Sequence, residues 1–489
     1  MKYKYYFSQY IFNTMANSSE EFTNQDEVKK IIAELEARYG KDGKNLKVSD
    51  VVDEQGRQYV NLVQEGGGML GIALVGFTYV LEKMNIRFWR LAGTSAGAIN
   101  TIFLAAIGTK NDAKSEKVLQ YLADTNFLQF ADGHPVISRV LTKLTGNKRY
   151  LSNTIFFIVG MVCILLLSLF ANNIHHSSYL MWFIIGILIV VGCVSAYFAF
   201  LWNRFKKRNY GLCRGNFFKK WLEEKLAENN ISNTAELKKR AYIKAPDNNL
   251  QFAKDATDIR SGADAEIDSL ESDVTMIACD ITTQMKVEFP RMAALYGRTD
   301  ENTNPAEFVR ASMSIPIFFE SQCFDNINKN DPAIIKAWKD ISYNMPIPGK
   351  AYFADGGIIS NFPISVFHKP SIRTPRLPVF GARLSEGGGG PATNLFKSIG
   401  AYGGAVFSTI RFNYDKEFLS KNNFYVKYVA PIDVRGFNWL NFAMSKDEQK
   451  NLFLQGVKAA YQYLNAFNWE QYKKERENLY DALQKASNT

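Results

Sequence analysis

A serine and a carboxylate, each set in a glycine turn, are the residues of this chain best suited to do chemistry. Ser95 sits at the tip of Gly93-Thr94-Ser95-Ala96-Gly97, after the apolar run Phe88-Trp89-Arg90-Leu91-Ala92 and before the apolar stretch from Ala98 to Leu104. That order reads as strand, tight turn and helix. Glycines at 93 and 97 let the backbone fold sharply enough to expose the hydroxyl, and the start of the helix puts free N–H groups beside it. A serine on such an elbow is a candidate nucleophile for acyl transfer. Downstream, Tyr352-Phe353-Ala354-Asp355-Gly356-Gly357 ends a short apolar run in a carboxylate held by a two-glycine turn. Upstream, the strand-like Tyr59 to Gln64 leads into Glu65-Gly66-Gly67-Gly68-Met69-Leu70-Gly71 and a helix over about 72–83. Consecutive glycines allow backbone N–H groups to converge on one anion, as an oxyanion hole requires and as a phosphate-binding turn also would.

In this order, each following a strand, the three motifs resemble the patatin-like phospholipase family. That family pairs a glycine-rich oxyanion loop with G-x-S-x-G and a D-G-G or D-G-A turn. The resemblance implies a Ser-Asp dyad in place of a triad, with Ser95 as nucleophile and Asp355 as its base. It also implies oxyanion donors in Gly66, Gly67, Gly68 and Met69. Arg310-Ala311-Ser312-Met313-Ser314-Ile315-Pro316 and Asn361-Phe362-Pro363 look like the family's supporting elements. One position departs from the pattern: Leu70 stands where the family usually has Arg or Lys. The resemblance covers about residues 58–135 and 212–465. It implies a serine lipid acyl hydrolase of phospholipase A type, acting on phospholipids or lysophospholipids through an acyl-enzyme and without a cofactor. Three other readings stay open. An α/β-hydrolase triad would share the elbow, with His368 in the right chain order; a non-catalytic membrane scaffold would keep the fold; an acyltransferase would differ only in its acceptor.

The block between the two covered parts carries a second signal. From Leu151 to Asn203 there is no Asp, Glu, Lys or Arg, and two apolar runs lie within it, Ile155 to Ala171 and Tyr179 to Trp202. About twenty residues cross a hydrocarbon core, so the second run is the firmer span. Its Leu, Ile, Val and Phe, at roughly −0.4 kcal/mol each, favour insertion by on the order of 5 kcal/mol. The expectation is a transmembrane hairpin joined by Asn172 to Ser178. Between Gly133 and Leu222 there are no acids and eleven bases: Arg139, Lys143, Lys148, Arg149, Arg204, Lys206, Lys207, Arg208, Arg214, Lys219 and Lys220. Removing those eleven from the formal +10 leaves −1 for the rest of the chain. The basic balance therefore belongs to the flanks of the hairpin and argues against nucleic acid, which needs a basic face on the folded domain. It fits a collar on anionic lipid, with the catalytic domain on the cytoplasmic side of a multi-pass membrane protein.

The elements that must position the motifs follow from the apolar pattern. Strands are expected near 59–64, 87–92, 274–280, 378–384 and 424–429, and helices near 72–83, 96–107, 304–312 and 446–465. Their alternation predicts an α/β fold: a patatin-like sandwich with helices on both faces of a central, mostly parallel sheet, interrupted by the hairpin. The expected organisation is an N-terminal extension (1–57), the first part of the domain (58–135), the basic-flanked hairpin (136–211), the second part (212–465) and a helical tail (466–489). Residues 1–20 read as a peripheral leader and not as a signal peptide. Five cysteines without paired spacing suit a reducing compartment, and with neither C-x-x-C nor H-E-x-x-H a metal site is not expected. The polar stretch 229–273 reads as a surface insertion, and Ser385 to Pro391 as a flexible loop.

Overall fold

The computed structural model describes residues 19–130, 132, 178–207, 209–256, 266–385 and 399–487. The expected leader, the first apolar span at 155–171 and most of the loop after Ser385 lie outside these residues. The described strands, in chain order, are β1 (Val51–Val52), β2 (Gln58–Gln64), β3 (Ile86–Thr94), β4 (Gln251–Phe252), β5 (Asp273–Asp280), β6 (Met285–Phe289), β7 (Gln322–Phe324), β8 (Ala351–Asp355), β9 (Val379–Ser385) and β10 (Val429–Asp433). They join in one sheet whose main path runs β10-β9-β2-β3-β5-β8-β7. Strand β3 is buried along its whole length and β2 along nearly all of it. That is why both read as near-continuous apolar runs instead of alternating ones.

The sheet is mixed, which corrects the expectation of a mostly parallel one. Strands β10, β9, β2, β3 and β5 run parallel. Strands β6 and β8 both run antiparallel to β5, and β7 is antiparallel to β8. The link from β5 to β6 is only residues 281–284, too short for the crossover that a parallel pair requires. A second correction concerns 424–429. Asn423–Val426 is a helical turn, and the strand there is Val429–Asp433. Phe424, Tyr425 and Tyr428 pack with Trp469 and Tyr472 in one buried aromatic cluster. That burial decides the local conformation, so the β propensity of the aromatics does not.

The helices that matter below are α1 (Asp26–Tyr39), α2 (Gly71–Lys83), α3 (Ala96–Ala106), α4 (Ser178–Lys207), α5 (Ala306–Ser312), α6 (Ile399–Lys421), α7 (Lys446–Ala466) and α8 (Trp469–Ser487). Helix α2 carries the chain out of the glycine loop and is buried from Ile72 to Glu82. It lies directly on α7, where a Cβ at Gly76 would meet the Phe453 carbonyl and one at Gly456 the Ala73 carbonyl. The paired glycines let two helix backbones touch. Helix α7 starts at a capping box, Ser445 with Glu448, and buries Leu452, Val457 and Leu464 on one face, as its apolar spacing predicts. The Trp469 indole donates to Asp50 Oδ1 at 2.7 Å, tying α8 to the segment ahead of β1. Within the polar stretch 229–273 the described residues also pack on the domain, since β4 pairs with β1 and Tyr242 donates to the Val274 carbonyl.

Helix α4 contains the expected second span. Its stretch Leu188–Lys207 has mean hydropathy 1.5 and none of it is buried in the protein. Among the described residues it is the one helix long and apolar enough to cross a membrane. Of the expected two-helix hairpin, only the second helix falls within the described residues.

The glycine contact between α2 and α7 gives a prediction. Gly76→Val places a branched side chain against the Phe453 backbone and must push the two helices apart. Overpacking of this kind costs about 1–3 kcal/mol, so the midpoint of thermal unfolding should fall by several degrees. An unchanged midpoint would mean that the helices separate at no cost.

Candidate active site

Strand register brings the two chemical residues together. In the parallel pair of β3 and β5, Thr94 lies opposite Ile277; in the antiparallel pair of β5 and β8, Ala278 lies opposite Asp355. Strand β3 ends at the elbow and β8 ends at the carboxylate, so both turns emerge beside the same residues of β5. Ser95 Oγ donates to Asp355 Oδ2 at 2.6 Å, a short charge-assisted hydrogen bond. Ser95 is 2 % and Asp355 6 % exposed. The Met313 sulfur lies 3.0 Å from the same hydroxyl oxygen. The single hydroxyl proton goes to the carboxylate, the stronger acceptor.

The elbow is strained where the sequence says it must be sharp. Ser95 has φ 54° and ψ −118°, a conformation costly for a residue with a side chain. Close packing holds it there. A Cβ on Gly93 would meet the Gly97 carbonyl, one on Gly97 would lie 2.5 Å from the Gln64 carbonyl, and one on Gly356 would meet the Ile277 carbonyl. The N–H of Gly357 donates to Asp355 Oδ1 at 2.8 Å, which fixes the carboxylate and leaves Oδ2 for the serine.

The segment around Arg310 braces both partners. The Ser95 backbone N–H donates to Ser312 Oγ at 2.8 Å, and the Asp355 N–H donates to the Ser314 carbonyl at 2.8 Å. Arg310 anchors this segment by donating to Ser314 Oγ at 2.8 Å and to the carbonyls of Arg214 at 2.9 Å and Glu320 at 2.6 Å. Burial of its guanidinium pulls the Arg310 pKa down to about 10, so it is still a cation at neutral pH. The sequence flagged this segment without giving it a role. Hydrogen bonds across more than 200 residues leave no trace in local spacing.

The glycine loop lies next to the elbow, and a Cβ on Gly66 would come within 3.0 Å of Ser95 Cβ. Its four expected donors divide into two groups. The Gly66 N–H donates to the Asn361 carbonyl at 2.9 Å, and that of Met69 to the Trp439 carbonyl at 3.0 Å. For Gly67 and Gly68 no hydrogen-bond acceptor is found among the described residues. Gly68 has φ 54°, and a Cβ there would collide with the Trp439 backbone. Leu70, at the position where the family usually has Arg or Lys, is buried in the apolar core at 5 % exposure. A cation reaches this loop from elsewhere: Arg383 Nε on β9 lies 3.8 Å from Glu65 Oε1. Glu65, which precedes the glycines, also accepts from Asn361 Nδ2 at 3.1 Å and from the Leu384 N–H at 2.6 Å.

A narrow apolar cavity of about 40 Å³ opens beside the loop, lined by Met69, Ile99, Leu122, Phe127, Met313 and Phe442. Phe442 also stacks on Phe318 at 4.6 Å between ring centres. Trp439 and Phe442 thus lie on the same connection between β10 and α7 and cover the glycine loop and the cavity together.

His368 is placed elsewhere. Its Nδ1 is 2.9 Å from the Tyr425 hydroxyl, and its ring packs on Phe418. Burial, and then the charge of Arg476, pull its pKa down to about 4, so the ring is neutral near pH 7. Among the described residues no group of three or more His, Cys, Asp or Glu side chains could hold a metal ion.

Residues 62–368 match the family model described as patatin-like phospholipase. The chain is 26 % identical over 358 residues to the uncharacterized protein YqhO of Bacillus subtilis (strain 168), covering 73 % of this chain and 82 % of that one. Among solved structures it matches VipD from Legionella pneumophila at 13 % identity and a TM-score of 0.33, covering 86 % of this chain and 70 % of that one. The family match spans more than half of the chain and takes in the glycine loop, the elbow and the Asp-Gly-Gly turn: this protein belongs to the patatin-like phospholipase family, a family of lipid acyl hydrolases.

Proposed function

We propose that this protein is a membrane-anchored serine hydrolase that cleaves ester bonds of phospholipids or lysophospholipids through a Ser95–Asp355 dyad. The observation that carries the reading is the direct 2.6 Å hydrogen bond from the elbow serine to the carboxylate, with no imidazole between them. Asp355 Oδ2 takes the hydroxyl proton as Ser95 Oγ bonds to the ester carbonyl carbon. The carbonyl electrons move onto oxygen, and the N–H groups of Gly67 and Gly68 receive that charge, each worth about 3–4 kcal/mol. Collapse of the tetrahedral species breaks the ester C–O bond, and the departing alkoxide takes the proton from Asp355. Water then attacks the acyl-serine, gives a proton to Asp355, and Ser95 recovers it as the fatty acid leaves. An alcohol in place of water would make the same acyl-enzyme a transferase; nothing at the site favours that acceptor.

The acyl chain belongs in the cavity lined by Phe442, which at about 40 Å³ is a small fraction of the ~300–1,000 Å³ usual for ligand sites. Turnover on a long chain therefore requires the connection that carries Trp439 and Phe442 to swing away, freeing the Met69 N–H as a further donor. Membrane attachment rests on the unburied apolar surface of α4 and on the eleven-base collar, and tethering raises the local concentration of lipid by geometry. In this reading the catalytic domain lies on the cytoplasmic side, with residues 172–178 on the far side.

Three tests follow. Ser95→Ala and Asp355→Asn should each lower ester hydrolysis by at least about a thousandfold, and a fluorophosphonate should label the wild type but not Ser95→Ala. His368→Ala should keep most of the activity; a folded but dead His368 variant would replace the dyad with a triad. Phe442→Ala should shift the preference among p-nitrophenyl esters toward longer chains, and an unchanged profile would place the acyl site elsewhere. For topology, Ser177→Cys should react with an impermeant thiol reagent in intact cells while Ser385→Cys should not, each read against the parent protein; the reverse pattern would overturn the orientation.

A further inference from the structure

We propose that Asp415, on helix α6, is a positioning residue for acyl transfer: it fixes the loop Ser360–Phe362, and that loop fixes the oxyanion turn. The inference rests on the reading of Gly67 and Gly68 as oxyanion donors.

The connection can be followed bond by bond. Asp415 is 5 % exposed, and both of its oxygens are used. Oδ1 accepts the Ser360 hydroxyl at 2.8 Å, and Oδ2 accepts the Phe362 N–H at 2.7 Å. The residue between them, Asn361, holds Gly66 from two sides. Its carbonyl accepts the Gly66 N–H at 2.9 Å, and its Nδ2 donates to the Gly66 carbonyl at 3.1 Å. The same Nδ2 reaches Glu65 Oε1 at 3.1 Å. On the elbow side, the Thr94 hydroxyl donates to the Ser360 carbonyl at 2.9 Å, one residue before the nucleophile. The three-residue loop therefore touches the elbow with its first residue and the oxyanion turn with its second. Asp415 grips it at the first and the third.

A carboxylate buried in this way is costly, and a neutral amide would fill the same space more cheaply. Desolvation pushes its pKa up to about 6, against the opposing pull of the Phe362, Ser360 and Asn361 bonds and of the Lys286 charge. The ionised form is the one that can accept from two donors at once. On its own helix its neighbours are Lys416 and Glu417. Lys286 on β6 is paired with Glu288 at 3.0 Å and lies over the Tyr414 ring. His368 and Tyr425 lie against Phe418, a turn further along the helix, and Asp355 precedes the loop in the chain. When the carboxyl gains a proton, one oxygen turns from acceptor to donor, so the Ser360 hydroxyl must rotate to accept from it and the charge-assisted grip on the loop weakens. A shift of the oxyanion donors by even a fraction of an ångström is expensive in the transition state and nearly silent in the ground state.

The test uses the full chain, hydrolysing p-nitrophenyl butyrate between pH 4.5 and 8.5. Asp415→Ala should lower kcat by roughly 10–100-fold with KM within about twofold. Asp415→Asn accepts the Phe362 N–H through its amide oxygen, so it should recover much of that loss. It should also move the acid limb of the kcat profile to lower pH, because the group titrating near 6 has been removed. A residue that only anchored α6 would change thermal stability and leave the limb in place. If Asp415→Asn keeps both the wild-type kcat and the wild-type limb, the positioning role is wrong. If Ser95→Ala proves as active as the wild type, the failure lies in the catalytic reading beneath it.

Discussion

The hydrogen bond from Ser95 to Asp355 joins residues 260 positions apart, and β5 makes it possible. That strand pairs in parallel with β3 and antiparallel with β8, so two chain segments approaching from opposite directions end against adjacent residues, Ile277 and Ala278. A slip of one residue in either ladder would turn the side chains to the other face and separate the pair. The buried lengths of β3 and β5 guard against such a slip, since it would force their apolar side chains out of register with the core on both faces. The antiparallel strands at this end of the sheet are thus part of the site's construction.

Around that bond the protein buries an unusual amount of charge. Glu65, Arg310, Asp355 and Asp415 are all 6 % exposed or less. Each makes at least one bond to the backbone of a neighbouring segment: Leu384 for Glu65, Arg214 and Glu320 for Arg310, Gly357 for Asp355, Phe362 for Asp415. Such groups add little net stability, because desolvation offsets much of what the bonds return. They do fix irregular backbone in one arrangement, which apolar packing alone does poorly. Three glycine turns and a strained serine need that kind of support.

The covering connection with Trp439 and Phe442 adds a further condition. It occupies the Met69 N–H and lines the apolar cavity at once, and at about 40 Å³ that cavity is too small for a long acyl chain.

Much of this was legible in the residues themselves. The elbow, the glycine loop and the Asp-Gly-Gly turn are local structures, set by which residues tolerate sharp backbone and close approach, and so their sequence spells them out. Strands β2, β3, β5 and β9 and helices α2, α3 and α7 followed from apolar periodicity for the same reason. Local pattern could not give the direction of β8, since an apolar run of that length reads the same whether it pairs parallel or antiparallel. Nor could it place the aromatic turn at Asn423–Val426, whose conformation depends on burial against Trp469 and Tyr472. Asp415 in Asn413-Tyr414-Asp415-Lys416 carries no motif at all, and only the fold puts it against Ser360 and Phe362. The sequence alone determined which groups could react, because reactivity resides in residue type and turn geometry. Only the tertiary structure decided what holds those groups still, because the supporting bonds run between segments far apart in the chain and depend on distances that no spacing encodes.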